Sequence, residues 1–369
     1  MDTVKIGLVG CGDISGIYLK NCCKRFKNID IVACSDLIQE RADAKAEEYD
    51  HLKACKSNDE IYNDPEIDIV LNLTNPESHA EVCLDALKAG KSVHVEKPLA
   101  ITRENGKKIK ELAEKKGVLA GGAPDTFLGG GIQTCRKLID DGWIGDPIGA
   151  TAFMMNHGHE SWHPDPEFYY KVGGGPMFDM GPYYLTALIF LMGPVKRVSG
   201  ITTKGFEERT ITSEPKYGKK IDVEVPTFVN GSLEFENGAN ATLITSFDVW
   251  QAQLPHIEIY GTEGTLSVPD PNTFGGPVRI YKPESGEWQE VPLTHGSTDN
   301  SRGIGVANMA YALKGDSEYR ANCNLTYHVL DIMHGFHDAS DEGKHIELDS
   351  SCEKPEPLPM GLSDDDIKG

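Results

Sequence analysis

The sequence predicts an α/β fold in two parts, a doubly wound parallel sheet followed by an α+β domain with an open, mostly antiparallel sheet. Up to about residue 123, apolar runs alternate with helical segments, which is typical of a parallel sheet covered by helices. From residue 148 to about 268, alternating polar and apolar residues are interrupted by glycine turns, which is typical of antiparallel strands. We therefore expect domains at 1–123 and 124–369.

The first part is predicted to contain five strands and four helices. Its strands are apolar almost throughout, which fits burial on both faces of a parallel sheet. The predicted strands are Val4–Val9, Ile29–Ser35, Ile67–Thr74, Ser92–Val95 and Val118–Ala120. The predicted helices are Ile14–Phe26, Arg41–Tyr49, Ser78–Ala89 and Arg103–Lys116.

The second part begins with a predicted helix at Ile132–Asp140 and changes to strand hairpins. The dipeptide Asn237-Gly238 is a strong signal for a tight hairpin turn. The predicted hairpins pair Phe228–Phe235 with Ala239–Phe247 and His256–Tyr260 with Thr265–Val268. Residues 305–315 and 324–340 are predicted to be helical.

The net charge restricts the choice of ligand. The 369 residues include 57 acidic and 36 basic side chains, which gives a formal charge of −21. Nucleic acids and anionic membrane surfaces would be repelled by this charge. A neutral sugar or polyol would not be repelled, and we expect a ligand of this kind.

The nine cysteines predict a reducing compartment. Their number is odd and no Cys-x-x-Cys pair occurs, so we expect free thiols in the cytoplasm. The chain starts directly with a strand-like run, which gives no sign of a secretory signal peptide. The longest apolar stretch, Ala187–Met192, is too short to cross a membrane.

A dinucleotide-binding motif lies between the first predicted strand and helix. Gly10-x-Gly12 allows a tight turn and close approach of the backbone to a pyrophosphate, and Asp13 and Ile14 start the helix that would face its charge. Asp36 ends the next strand, where a carboxylate binds the ribose hydroxyls and repels a 2′-phosphate. We therefore predict NAD rather than NADP.

Further motifs lie downstream of this one. Glu96-Lys97-Pro98 follows the fourth predicted strand, at the edge where doubly wound sheets bind ligands. Thr74-Asn75-Pro76-x-x-His79 follows the third strand, and a glycine-rich run extends from Gly173 to Gly181. Together with the glycine motif and Asp36, they resemble the glucose–fructose oxidoreductase, inositol dehydrogenase and MocA family of NAD(P)-dependent sugar and polyol oxidoreductases, from residue 3 to about 348.

This resemblance implies an N-terminal Rossmann domain, a C-terminal sheet domain that carries substrate and often subunit contacts, and a catalytic Lys97. The family motif Asp-x-Gly-x-His-x-x-Asp is present only in part: Asp179 and Gly181 match it, whereas Tyr183 takes the histidine position and Thr186 the last aspartate position. The residues expected to contact the cofactor are Gly10, Gly12, Asp13, Ile14, Asp36, Thr74, Asn75, His79, Glu96, Lys97 and Trp162.

The departure at Tyr183 leaves the general base open. A phenol next to the Lys97 ammonium could have a depressed pKa and accept a proton. Alternatively, a histidine of the loop His157-x-His159-x-x-x-His163 could be the base. Of these histidines, we select His163 as the catalytic candidate. This loop could also be read as a metal site, but no cysteine joins it, and we expect no metal.

The predicted reaction transfers a hydride from a secondary hydroxyl of a sugar, a glycoside or a cyclitol to NAD, giving a keto-sugar. The segment from Trp162-His163-Pro164 to Tyr184 resembles the branch of the family that oxidises the C3 hydroxyl of glucosides. Catalysis is assigned to Lys97, Asp179, Tyr183 and His163. The residues expected to contact substrate are Lys97, Asp125, His157, His159, His163, Asp179, Tyr183 and Arg302.

Two other functions remain open from the sequence. The first is a glycosidase that retains its NAD and oxidises C3 transiently, and the second is a sensor that binds NAD without catalysis. We also expect a homo-oligomer that associates through the C-terminal sheet, because an exposed open sheet needs to be covered.

Overall fold

Six parallel strands form the N-terminal sheet of the computed structural model, which describes residues 3–363 and residue 367. The ends of the predicted second domain at 364–366 and 368–369, and residues 1–2, lie outside the described residues. The strands are β1 (Val4–Val9), β2 (Ile29–Ser35), β3 (Lys53–Ala54), β4 (Ile69–Asn72), β5 (Ser92–Val95) and β6 (Ala120–Gly122). The helices are α1 (Ser15–Lys24), α2 (Gln39–Glu48), α3 (Asn58–Tyr62), α4 (Pro76–Lys88) and α5 (Arg103–Lys116).

The strand order of the N-terminal sheet is β3-β2-β1-β4-β5-β6, and every pair in it is parallel. The order reverses between β1 and β4, so their connections leave the sheet in opposite directions and open a crevice at the carboxyl ends of the strands. The predicted doubly wound sheet is confirmed. The short β3 and α3 were not predicted, because two and five residues are too few to show a period.

A nine-stranded sheet forms the second layer, with the order β16-β15-β14-β13-β7-β12-β11-β8-β17. Its strands are β7 (Pro147–Met155), β8 (Val195–Thr203), β11 (Phe228–Phe235), β12 (Asn240–Ser246), β13 (Ile257–Gly261), β14 (Thr265–Val268), β15 (Val278–Tyr281), β16 (Trp288–Val291) and β17 (Ile346–Glu347). Two further strands, β9 (Glu208–Thr210) and β10 (Lys220–Asp222), form a separate ribbon. The helices are α6 (Gly130–Asp140), α7 (Gly175–Asp179), α8 (Gly181–Met192), α9 (Ile304–Leu313) and α10 (Cys323–Glu342).

The nine-stranded sheet is mixed and mostly antiparallel, because β7 and β12 run parallel to each other. Both predicted hairpins are present. Helices α7 and α8 lie inside the region expected to contain only strands. Every residue of α8 is buried, so its sequence is apolar on all sides and lacks the polar face that identifies a helix. Within the described residues, no helix is long and apolar enough to span a membrane.

Candidate active site

The glycine loop between β1 and α1 has the backbone that a dinucleotide requires. Gly10 has a φ of +99°, and a Cβ there would lie 2.7 Å from the carbonyl carbon and oxygen of Leu73. A side chain at Gly12 would meet no atom within 4 Å, so this residue faces open space at the start of α1. The loop therefore leaves room for a phosphate beside the helix N-terminus.

Asp36 lies directly beside this loop. Its Oδ2 accepts a hydrogen bond from the Cys11 backbone N–H at 2.7 Å, and its Oδ1 accepts one from Ile38 at 2.8 Å. The carboxylate also lines a cleft of about 680 Å³ that contains Gly12. This position suits a carboxylate that accepts hydrogen bonds from ribose hydroxyls.

A second cleft of about 750 Å³ extends from the glycine loop to the C-terminal sheet domain. The two clefts share Gly12, Thr74 and Asn75, so they form one elongated groove. The predicted site residues that line the second cleft are Gly12, Asp13, Ile14, Thr74, Asn75, Glu96, Lys97, His163, Asp179, Tyr183 and Arg302. The groove contains the glycine loop and Asp36 in one part and Lys97 and Asp179 in another, a lining that suits a dinucleotide with a small substrate at one end.

Lys97 and Asp179 form a buried ion pair in the second cleft. The Lys97 Nζ is 2.6 Å from Asp179 Oδ1 and also donates to the Asp179 carbonyl oxygen at 2.8 Å. The two side chains are 18% and 10% exposed. Lys97 follows β5 and Asp179 ends α7, so the ion pair connects the N-terminal domain to the C-terminal domain.

His159 completes this cluster from the loop after β7. Its Nε2 lies 2.9 Å from Asp179 Oδ2, opposite the oxygen that Lys97 contacts. The His159 ring is packed edge-on against Tyr169 at 3.9 Å, and its Nδ1 is buried without a partner among the described residues. Since an ionised carboxylate only accepts hydrogen bonds, the His159 Nε2 carries a proton and donates it to Asp179.

The charges of the cluster stabilise one another. Burial alone would lower the pKa of Lys97, but the charges of Asp179 and Glu96 and the hydrogen bond with Asp179 outweigh it and raise this pKa above its usual range. Burial alone would raise the pKa of Asp179, but Lys97 and His159 outweigh it and hold this pKa well below its usual range. The pair is therefore an ammonium and a carboxylate at neutral pH.

Tyr183 lies beside Lys97, with the Nζ 5.4 Å from the centre of its ring. Burial raises the pKa of Tyr183, and the nearby Lys97 and Arg302 only partly oppose this effect. The expectation of a depressed pKa is therefore wrong, because burial disfavours the phenolate more than the cations stabilise it. Arg302 hydrogen-bonds to the Tyr183 side chain.

The histidines of the loop His157–His163 have different surroundings. The His163 ring lines the second cleft, and its Nδ1 accepts the Asp165 backbone N–H at 3.0 Å. Burial and the neighbouring His159 lower the pKa of His163. The His157 ring stacks on Trp250 at 3.4 Å and lies outside the cleft lining. Trp162, which was expected to contact the cofactor, lies beside His163 with ring centres 5.4 Å apart, but it is 61% exposed and lines neither cleft.

Two residues that were expected to contact the cofactor, His79 and Glu96, make hydrogen bonds within the protein. Both ring nitrogens of His79 contact backbone carbonyl oxygens, of Pro98 at 2.7 Å and of Thr74 at 2.9 Å. Glu96 accepts the Tyr18 hydroxyl at 2.8 Å and also borders the cleft.

Asp125 was expected to contact substrate, but it is 1% exposed and lies outside the cleft lining. Its Oδ2 accepts the backbone N–H groups of Gly303 and Gly305, at 2.9 and 3.0 Å, at the start of α9. Burial raises its pKa to about 6 despite these bonds. Its position at the end of a strand could not reveal that this carboxylate accepts hydrogen bonds from the N-terminus of a helix.

Sequence reasoning missed several residues that line the second cleft, namely Arg41, Lys45, Phe168, Tyr169 and Phe178. The glycine-rich run gave a signal for two of them. A Cβ on Gly174 would lie 2.6 Å from the Phe168 carbonyl oxygen and 2.7 Å from that of Tyr169, so only glycine allows these aromatic residues to approach.

A buried ion network supports the histidine loop from behind. The Arg209 side chain, on the β9–β10 ribbon, is 4% exposed and donates to Glu160 at 2.8 Å and to Asp248 at 2.5 Å. Glu160 also accepts a short hydrogen bond from the Tyr170 hydroxyl. The ribbon therefore fixes the residue next to His159.

The fold and the cleft define the chain as a two-domain, NAD-binding oxidoreductase. Residues 4–122 match the model of an oxidoreductase family with an NAD-binding Rossmann fold, and residues 132–267 match that of the GFO/IDH/MocA C-terminal domain. The chain belongs to the GFO/IDH/MocA oxidoreductase family, and the resemblance noted in the sequence is confirmed.

Named relatives act on cyclitols and glucosides. The myo-inositol 2-dehydrogenase of Thermotoga maritima is 25% identical over 71% of this chain and 74% of its own. The inositol 2-dehydrogenase of Salmonella typhimurium is 32% identical, over 45% of this chain and about half (48%) of its own. The D-glucoside 3-dehydrogenase of Escherichia coli K12 is 23% identical, over 94% of this chain and 97% of its own.

Among solved structures, levoglucosan dehydrogenase has the same fold. Its apo form matches with a TM-score of 0.81 and 18% identity, over 95% of this chain and 100% of that chain. Its complex with NADH and levoglucosan matches with a TM-score of 0.80, also at 18% identity, over 94% of this chain and 99% of that chain.

Proposed function

We propose that the chain is an NAD-dependent dehydrogenase that oxidises a secondary hydroxyl of a sugar, a glycoside or a cyclitol, and that its preferred substrate position is C3 of a glucoside. The observation that carries the proposal is the buried pair of Lys97 and Asp179 in the groove that also contains the glycine loop. The C3 position is supported by the likeness to D-glucoside 3-dehydrogenase over nearly the whole chain.

The reaction separates two hydrogens of the substrate. The carbinol carbon loses a hydride, the hydroxyl loses a proton, and a ketone forms. NAD⁺, when bound, supplies the hydride acceptor. The protein has to place the hydroxyl, stabilise the charge that develops on its oxygen, and take up the proton.

Lys97 is the residue that we place against the substrate oxygen. Two contacts of its Nζ go to Asp179, which leaves its remaining hydrogen-bonding direction for the cleft. As an ammonium it stabilises an alkoxide, but it cannot accept a proton. One proton must therefore leave the Lys97–Asp179–His159 cluster for solvent before the cluster can accept the proton of the hydroxyl.

His159 acts in this scheme as a positioning residue. Its Nε2–H fixes Asp179 Oδ2, so that Oδ1 stays directed at Lys97. The family motif has a histidine at the position of Tyr183. In this chain an imidazole contacts Asp179 from a different segment, the loop after β7.

Tyr183 and His163 act as hydrogen-bond donors. The neutral Tyr183 phenol, held by Arg302, can donate its proton to the substrate oxygen. The Nδ1 of His163 already accepts the Asp165 N–H, so the neutral ring carries its proton on Nε2 and donates to a sugar hydroxyl. Neither side chain is then the base, and both orient the substrate.

A substrate screen tests the proposal. Purified protein is incubated with NAD⁺ and with methyl and aryl glucosides, free hexoses and cyclitols; NADH is followed by absorbance, and the ketone position is determined by NMR. We expect NADH and a 3-keto glucoside. Release of free aglycone without net NADH would instead indicate the glycosidase, and NAD binding without turnover on any compound would indicate the sensor.

Lys97→Met provides the matched variant, since it keeps the length of the side chain and removes its charge. We expect turnover to fall about 10²–10⁴-fold, the range of acid–base catalysis, while NAD binding measured by calorimetry is retained. Wild-type turnover in Lys97→Met would contradict the role given to Lys97.

We also propose a homo-oligomer that associates through the open face of the C-terminal sheet. Phe153, Ile244, Asn230 and Ile201 form a row across β7, β12, β11 and β8, and directly paired residues share a face. Ile201 is 64% exposed. Light scattering should give more than one chain per particle, and Ile201→Lys should shift the particle to a smaller mass.

A further inference from the structure

A second cluster of potential ligands lies at the opposite edge of the N-terminal sheet. Cys23 is near the end of α1, Asp30 near the start of β2, and His51 in the turn between α2 and β3. The active-site groove is built from residues after the carboxyl ends of the strands, whereas Asp30 is at the amino end of β2. This cluster is therefore separate from the cofactor and substrate site.

The three side chains offer one ligand atom each at a common point. The thiol sulfur, a carboxylate oxygen and an imidazole nitrogen all lie within 4.8 Å of one another. His51 Nε2 is already 3.1 Å from Asp30 Oδ1. Ligand atoms around a tetrahedral zinc ion are separated by about 3.3–3.8 Å, given bonds of about 2.0–2.3 Å, so small side-chain rotations would suffice.

We propose that Cys23, Asp30 and His51 form a site for a divalent transition-metal ion of the zinc class, with water as the fourth ligand. Thiolate, imidazole and carboxylate are the ligands that zinc takes in proteins, whereas magnesium and calcium prefer oxygen ligands alone. Binding releases the Cys23 thiol proton to solvent. The thiolate and Asp30 together then balance the two charges of the ion.

The surroundings of the cluster permit such an ion. Cys23 and Asp30 are half-buried and His51 is exposed, so solvent can reach the open coordination position. Two cations that interact with the cluster have other contacts: the Lys24 ammonium lies over the Tyr49 ring at 5.3 Å, and the Lys5 ammonium is paired with Glu66 at 2.8 Å. The net charge of −21 attracts cations to the protein in general.

The ion would connect α1 and β2, two elements that also build the cofactor site, to the turn that carries His51. Helix α1 starts at the glycine loop and β2 ends just before Asp36, so their far ends would be held together by the metal. We expect bound zinc to stabilise the folded state, because it binds that state and not the unfolded chain.

Cobalt is the probe for this site, because Co²⁺ bound to a thiolate gives charge-transfer and d–d absorption bands. Reduced, metal-free, full-length protein is titrated with Co²⁺ without oxygen. We expect the bands to saturate at one equivalent and to disappear when Zn²⁺ is added. The same amount of Zn²⁺ should raise the melting temperature.

Cys23→Ser should lose the charge-transfer band and the rise in melting temperature. His51→Gln changes only an exposed side chain, so it tests the site even if Cys23→Ser does not fold. It should weaken Co²⁺ binding at least tenfold. Cys352→Ser, a partly buried thiol elsewhere, is the control and should behave like wild type. Absence of the band in wild type, or an unchanged band in Cys23→Ser, would overturn the proposal.

Discussion

The substitution Asp179→Asn removes the negative charge of the Asp179 side chain and keeps its shape. In the wild type, Asp179 accepts from Lys97 on one oxygen and from His159 on the other, at 2.6 and 2.9 Å. An amide has a single oxygen, so one of the two donors would face an NH₂ group. The substitution therefore breaks the ion pair and misdirects one of the two neighbours.

The magnitude follows from burial. Removing one member of a buried ion pair costs about 3–5 kcal/mol of the free energy of unfolding. Because Lys97 keeps its hydrogen bond to the backbone carbonyl oxygen of residue 179, which is 2.8 Å long, we expect a loss at the lower end of this range. The charge of Asp179 raises the pKa of Lys97, so its removal should lower that pKa.

The pH dependence of oxidation measures this shift. A group that must lose a proton before it acts is more active above its pKa, so wild-type kcat should rise with pH, about tenfold per unit below the pKa of Lys97. In Asp179→Asn this rise should level off at a lower pH, with a maximum reduced about 10²-fold. Glu66 is an exposed carboxylate paired with Lys5, so Glu66→Gln should change neither the pH profile nor the maximum of kcat. An unshifted profile in Asp179→Asn would refute the coupling of Lys97 to Asp179.

Three further substitutions test other parts of the site. Gly10→Ala should abolish NAD binding in calorimetry, because φ is +99° and the new Cβ would lie 2.7 Å from the backbone; binding at wild-type affinity would contradict this. Tyr183→Phe should lower kcat about 10–100-fold, the loss of one strong hydrogen bond, and an unchanged kcat would show that the phenol does not contact the substrate oxygen. Arg209→Met leaves Glu160 and Asp248 buried without a cation, so urea denaturation should show a loss of about 3–5 kcal/mol; a loss below 1 kcal/mol would argue against the network.

The N-terminal half was predictable because its signals are local. The longer strands of the parallel sheet are mostly apolar runs. Arg103–Lys116 begins after the capping residue Thr102 and ends at Gly117, so its bounds were predicted without error. The glycine loop and Asp36 are likewise recognisable from spacing alone. Helix α8 carries no such signal, since it is buried on every side.

The sequence motifs predicted several residues of the active site but not the contacts among them. The motifs identified Lys97 and Asp179, but the hydrogen bond from His159 to Asp179 joins residues 20 positions apart through tertiary structure. The pKa of Tyr183 is set mainly by its burial in the folded protein, which the sequence does not show. For the same reason, the buried pairs of Arg209 could not be foreseen.

The Lys97–Asp179 pair also has a mechanical consequence. Lys97 belongs to the first sheet and Asp179 to the helices packed on the second, and the distance between their charged atoms is 2.6 Å. A hinge movement of a few ångströms between these halves would break the pair and move the ammonium away from its carboxylate. Hydride transfer would then be possible only in the closed arrangement. An open form, in which ligands exchange, would be inactive because Lys97 and Asp179 are apart.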